Sequence, residues 1–210
     1  MPKRAAVKDF ADSQPVRPNI RAELIQAGTQ IMLEKGFNNT GIAEVLTTVG
    51  VPKGSFYYYF ESKEEFGLQI INTFDEDRTA RLDHFLGDKS TTPIQRLKAW
   101  CEDRRLNMQD SKCRKGCLIG NLSQEMADQS EVFRARLEEI LTRWRNKFAA
   151  CIKEGQTLGQ ITSEIDAVDL AEFFLSGWEG SLIRTKTTKN TGPQEVFIRV
   201  IFSLMLPPQR

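Results

Sequence analysis

From Asn19 onward, apolar residues return every three or four positions. Ile20, Leu24, Ala27, Ile31 and Met32 lay one apolar stripe along a helix that Asn19 opens and Gly36 closes. A short helix from Thr40 turns Ile42, Val45 and Leu46 inward, and "VGVPKG" (49–54) makes a tight turn into a third helix with Pro52 in its first turn. Ser62 opens a fourth helix that runs to Leu86, and its Ser-x-x-Glu spacing to Glu65 is a capping box. The helical period continues over 93–110, 117–127, 130–154, 166–187 and 193–205. Period-two alternation persists nowhere, so the pattern predicts an all-α protein.

The expected organisation is a polar arm over 1–18, a three-helix unit over 19–67 and a larger helical bundle over 68–210. The arm carries Pro2, Pro15 and Pro18, is basic at Lys3, Arg4 and Lys8, and shows no apolar period, so it is expected to be flexible. Two short helices joined by a turn containing Gly50 fit a helix-turn-helix, in which the second helix enters the DNA major groove. Here that helix is "PKGSFYYYF". Phe56 and Phe60, four apart, share an inward face, which leaves Tyr57, Tyr58 and Tyr59 for the rest of the surface. Tyrosine hydroxyls donate to phosphates and their rings meet thymine methyls. Lys53 adds charge, Gly54 permits close backbone approach and Ser55 adds a hydroxyl. Lys63 stands at the start of the next helix, where free amides also favour phosphate. A small bundle whose exposed tyrosines bind a protein is the plainer alternative.

Charge decides little. The 210 residues carry a net charge of +1, and residues 1–67 hold eight Lys/Arg against eight Asp/Glu. Any DNA contact therefore belongs to a local surface. No apolar run reaches the roughly 18 residues that span a membrane, and the N-terminus has no apolar signal-peptide core, so a cytoplasmic protein is expected. Four cysteines are too few for a disulfide framework at this length.

"TGIAEVLTTVGVPKGSFYYYFESKEEFGLQII" (40–71) resembles the DNA-binding signature of the TetR/AcrR family of one-component transcriptional regulators. The resemblance implies a dimeric repressor that binds double-stranded operator DNA and answers a small-molecule effector, with no cofactor. It also implies DNA contacts from Thr40, Lys53, Gly54, Ser55, Tyr57, Tyr58, Tyr59 and Lys63. Many members pair two threonines where this chain has Thr40 and Gly41, so at Gly41 only the backbone amide is offered.

In the second half, "AVDLAEFFLSGWEGSLI" and "PQEVFIRVIFSLML" are apolar over broad faces, more than a lone bundle buries, which points to a helix-to-helix homodimer. Plain intrachain packing is the alternative. Gly177 and Gly180 flank Trp178, where they either let helices approach closely or leave room beside the indole. Trp100 and Arg104, four apart, share a face that can line the same cavity.

Cys113 and Cys117 stand four apart in "KCRKGCLIGN" (112–121). A metal site lacks ligands, since His84 is the only histidine, and a hydrolase triad lacks a base for the same reason. Neither a metal nor enzymatic activity is therefore expected. A Cys113–Cys117 disulfide is awkward on a helix in a reducing compartment. Buried packing remains one reading. The other is a sensor thiol: Cys117 follows Arg114, Lys115 and Gly116 at a helix start, where amides and cations lower a thiol's pKa. "RKGCLIGNLSQEM" (114–126) and "GWEGSLIRTK" (177–186) are similar to an acrylate-responsive and electrophile-sensing branch of the family. That similarity implies that Cys117 senses and that Lys186 bonds to it when oxidised. In the acrylate case it implies that Arg184 or Lys186 pairs the carboxylate, with Asn121, Gln124 and Trp178 completing the pocket. A reactive thiol and an unreactive pocket wall both stay open from the sequence.

Overall fold

A computed structural model describes residues 19–207, and the arm over 1–18 lies outside them. Among the described residues there are nine α-helices and no strand. They are α1 (Ile20–Lys35), α2 (Ile42–Val49), α3 (Phe56–Tyr59), α4 (Lys63–Leu86), α5 (Pro93–Asp110), α6 (Leu118–Met126), α7 (Glu131–Thr157), α8 (Ala167–Thr188) and α9 (Gly192–Met205).

The N-terminal unit is a helix-turn-helix. α2 ends at Gly50, whose φ of 74° reverses the chain, and its amide donates to the Leu46 and Thr47 carbonyls. Pro52 then leads into a 3₁₀ turn (Lys53–Ser55) and α3. Phe56 and Phe60 point inward as the spacing requires and meet Phe66 of α4 with ring centroids 5.4 and 4.7 Å away. This aromatic cluster fixes the angle of α3 on the bundle, so the exposed face of α3 is set by its buried one.

α4 is the spine. It packs against α1, α5 and α7. Asp75, buried in its middle, accepts from Trp144 Nε1 at 3.0 Å and Thr79 Oγ1 at 3.1 Å and pairs with Arg143 and Arg136. A buried carboxylate is tolerable only with such partners, and here they tie α4 to α7. α8 and α9 pack on each other and complete the bundle on the side of α7.

Several boundaries differ from expectation for local reasons. α2 begins at Ile42 rather than Thr40, because Thr40 turns back and its hydroxyl donates to the Gly36 carbonyl at 2.6 Å. Ser62 does cap α4, accepting from the Glu65 amide, but the Glu65 carboxylate reaches past Ser62 to the Glu61 amide. α7 runs on to Thr157, and Gly159 with φ 68° follows just after its end. α5 carries a complete capping box, Thr92 with Gln95.

Candidate functional site

Two surfaces carry chemistry. The first is α3 and the turn before it. Tyr57 is 70% exposed and Tyr58 84%, while Tyr59 is half-buried against the core and stacks edge-on with Tyr58 at 4.9 Å. Lys53 and Gly54 are exposed on the preceding turn, and the Ser55 hydroxyl donates to the Pro52 carbonyl at 2.6 Å. A side chain at Gly54 would meet nothing within 4 Å, and Gly54 lacks a positive φ. Nothing inside the protein therefore requires glycine there; an outside surface approaching the backbone would. Arg21, at the start of α1, lies over the Phe60 ring at 5.2 Å and adds a cation near this surface. The hydrophobic pattern of α1 carried no signal for it.

Two residues expected on this surface have other work. Thr40 is buried, its hydroxyl spent on Gly36. The Lys63 ammonium turns inward, donating to the Asn38 carbonyl at 3.1 Å and resting over the Phe37 ring at 4.8 Å. Burial lowers its pKa, with Glu125 opposing that shift. Both residues thus brace the turn after α1, Thr40 wholly inside and Lys63 half-exposed beside it.

The second surface is internal. A cavity of about 750 Å³ lies between α1, α4, α5 and α8, lined by Trp100, Arg104, Trp178, Arg78, Cys117 and Glu179 among others. Its aromatic wall is continuous: Trp100 sits 5.1 Å from Trp178 and 4.9 Å from Phe148, ring centre to ring centre. Arg104 is present as expected but already bonded to Asp103. A second cavity of about 550 Å³ lies on the other side of the same residues, lined by Asn121, Gln124, Ser123 and Lys186. Gly116, Cys117 and Glu179 belong to both.

Local sequence explains why Cys117 stands there. Lys112 and Cys113 adopt left-handed backbone at φ 51° and 55°, and Gly116 at φ 70°. This coil ends α5 and delivers Cys117 as the residue just before α6. Gly116 also leaves room for the aliphatic chain of Lys186, whose Cδ would lie 3.2 Å from a Cβ there. Cys113 is buried and packs in the core. No disulfide and no metal-binding cluster occurs among the described residues.

The electrostatics of Cys117 differ from the expectation of a lowered pKa. Burial pushes the thiol well up, and the nearby Glu179 carboxylate pushes it further. The Gly120 amide and the Arg78 guanidinium pull the other way but do not prevail. Glu179 is the residue the sequence reading missed. Burial raises it to about 7, and the thiol of Cys117 beside it opposes that shift. It lies next to Trp178, and only the three-dimensional meeting of α6 with α8 marks it out. Lys186 is lowered by burial and by the neighbouring Lys189 charge.

Arg184, expected beside Cys117, lies elsewhere. It is exposed and lines a shallow groove with Phe173, Gly177, Val196 and Val200, away from Cys117. On α8 it is two residues from Lys186, and that spacing turns it to another face. Of the two glycines beside Trp178, Gly177 allows close packing of Phe197, whereas a Cβ at Gly180 would meet nothing within 4 Å.

Comparison with known proteins agrees with this architecture. Residues 24–70 match the family described as "Bacterial regulatory proteins, tetR family", and residues 93–201 match "Tetracyclin repressor-like, C-terminal domain". The chain is 36% identical to the HTH-type transcriptional repressor DhaR of Mycobacterium sp. (strain GP1), over 91% of this chain and 94% of that one. It is 38% identical to the transcriptional regulator AcuR of Cereibacter sphaeroides, over 84% and 80%. The solved regulatory protein TetR from Rhodobacter sphaeroides superposes with TM-score 0.85 at 36% identity, covering 88% of this chain and 98% of that one. The reduced form of NemR from Escherichia coli superposes with TM-score 0.80 at 25% identity, covering 90% and 98%. With a helix-turn-helix at one end, a cavity-bearing bundle at the other and both halves matched, the protein belongs to the TetR family of bacterial transcriptional regulators.

Proposed function

We propose that the protein is a dimeric repressor that holds a palindromic operator and releases it when a small electrophile, an oxidant or a small unsaturated carboxylate acts at Cys117. The observation that carries this reading is the position of Cys117. It lies in the wall shared by two cavities and immediately precedes α6. At the far end of α6, the Glu125 carboxylate accepts from the Phe37 and Asn38 amides, both at 2.8 Å, in the turn between α1 and α2. A change at the thiol thus has a short, rigid path to the DNA-reading unit. Repression fits the relatives whose names call them repressors.

The dimer rests on the outer face of α8 and α9. Phe173, Ile183, Val196, Val200 and Leu204 stand exposed there at 48–59%, a larger apolar patch than a monomer keeps in water. A second copy packed on it would set two α3 helices on one side of the molecule, as successive half-sites of a palindrome require. For release, the modified protein must favour a geometry in which those helices no longer match adjacent grooves.

A second reading has one observation in its favour. Arg78 lines the larger cavity, rests on the Phe74 ring at 4.6 Å and reaches an acid only at 3.9 Å, at Asp77. It can therefore take the carboxylate of a reversibly bound acid, a part the sequence assigned to Arg184 or Lys186. Exposure of the wild type and Cys117→Ser to acrylate, hypochlorite or a quinone separates the two. Loss of response in the variant supports the thiol; a variant that still leaves DNA supports reversible binding.

A further inference from the structure

We propose that Glu179 is the base that takes the Cys117 proton when the thiol adds to an electrophilic alkene, and that small α,β-unsaturated carbonyl compounds are the class this site traps. The proposal rests on Cys117 being the reactive thiol, the reading given above. Three features of the site support a base rather than a packing carboxylate.

The first is the cradle. A Cβ at residue 120 would overlap the Glu179 carboxylate and stand 3.8 Å from the Cys117 Cβ. Glycine at 120 is what lets a carboxylate from α8 reach the start of α6, directly beside the sulfur. The second is the absence of a cation. Buried carboxylates elsewhere in the protein are paired, as Asp75 is, yet Glu179 makes no salt bridge among the described residues. Its carboxylate lies instead against Gly120 at the start of α6, where Cys117 stands. Glu179 is half-buried and faces the two cavities, and a carboxylate held there without a cation costs stability, so a purely structural role would replace or pair it. The third is access, since both cavities open onto the thiol and the carboxylate together.

The electrostatics agree with this geometry. Burial makes the thiolate scarce at neutral pH, so addition needs a proton acceptor in place. Burial also brings Glu179 to about 7, near the working pH at which a general base is most useful. The step balances without an outside reagent. The sulfur lone pair forms the S–C bond at the β carbon as the S–H proton passes to the Glu179 carboxylate. The alkene π pair moves toward the carbonyl oxygen and leaves an enolate. The proton then returns from Glu179 to the α carbon, giving a thioether and restoring the carboxylate.

The test is the rate at which methyl vinyl ketone alkylates Cys117 in the intact protein, followed by peptide mass from pH 5.5 to 9.5. In the wild type the rate should rise with pH and level off above about 7. Glu179→Gln should slow the reaction at pH 7.5 by at least about 100-fold, the low end of general-base effects. A carboxylate acting only through its charge predicts the opposite sign, because its removal eases thiolate formation. Equal or faster alkylation in Glu179→Gln would therefore overturn the proposal. A wild-type profile that keeps climbing past pH 9 would do the same without any variant. A wild-type Cys117 untouched by excess reagent would remove the sensor reading itself, a result distinguishable from failure of the base.

Discussion

Cys117 and Glu125 stand at the two ends of one helix, about 12 Å apart at 1.5 Å per residue. One faces the cavities and the other holds the turn between α1 and α2 through two amide hydrogen bonds. The same turn is braced from the other side by Lys63, whose ammonium bonds the Asn38 carbonyl. Phe37 adds an apolar contact, its ring edge-on to Phe133 of α7 at 4.9 Å. This turn thus ties the helix-turn-helix unit to α6 and α7 of the C-terminal bundle, beside the α4 helix that the two halves share.

Removing that hold should separate sensing from release. Glu125→Ala should lower unfolding free energy by about 1–3 kcal/mol, the usual loss when charged acceptors leave amides behind. Operator binding without effector should persist, while release on exposure to an electrophile should shrink. Urea denaturation and operator titrations with and without effector check both halves. Full release by the variant would place the coupling elsewhere.

On the reading surface, Tyr57→Ala and Lys53→Ala each should cost about 1–3 kcal/mol of operator binding, roughly 5- to 150-fold in Kd. Both side chains are exposed, so melting temperature should hardly move. Gly54→Val should behave the same way, since the free protein has empty space there. Gel-shift titration beside thermal melting distinguishes lost contacts from lost fold. Unchanged affinity in all three would show that DNA does not dock on this face.

Stability should carry the mark of Glu179. Its folded pKa of about 7 lies above the ordinary carboxyl value of 4.5, so the folded state binds the proton more tightly. Stability should therefore fall as pH rises from about 4.5 to about 7 and change no further from this group above that. Glu179→Gln abolishes the titration and should melt higher than the wild type at pH 8, with the gap closing toward pH 5. Scanning calorimetry at the two pH values checks it; parallel pH curves for the two proteins would contradict it.

The helices were legible because their apolar stripes repeat at the helical period and their starts carry Ser, Thr, Asp or Pro, as at Ser130 and Asp166. The inward turn of Phe56 and Phe60 followed from their spacing alone. What periodicity could not supply was the meeting of distant elements. Glu179 joins Cys117 only because α8 crosses the start of α6. The neutralised thiol follows from that burial, whereas the local sequence, with Arg114 and Lys115 beside a helix start, suggested a lowered pKa. Thr40 and Lys63 each found a backbone carbonyl, Gly36 or Asn38, that their positions in the sequence did not announce. Arg184 and Lys186 are two apart on one helix, and a rotation that short sequence cannot register puts them on different surfaces.

The most direct measurement is fluorescence anisotropy of a labelled fragment from the promoter of the protein's own gene, bound by wild type or Cys117→Ser, during addition of a small unsaturated carbonyl compound. Peptide mass follows Cys117 in the same samples. Wild-type protein should leave the DNA in step with modification of Cys117, and the variant should stay bound at the same dose. Release of Cys117→Ser at the wild-type dose, or full modification of Cys117 with the DNA still held, would contradict the account.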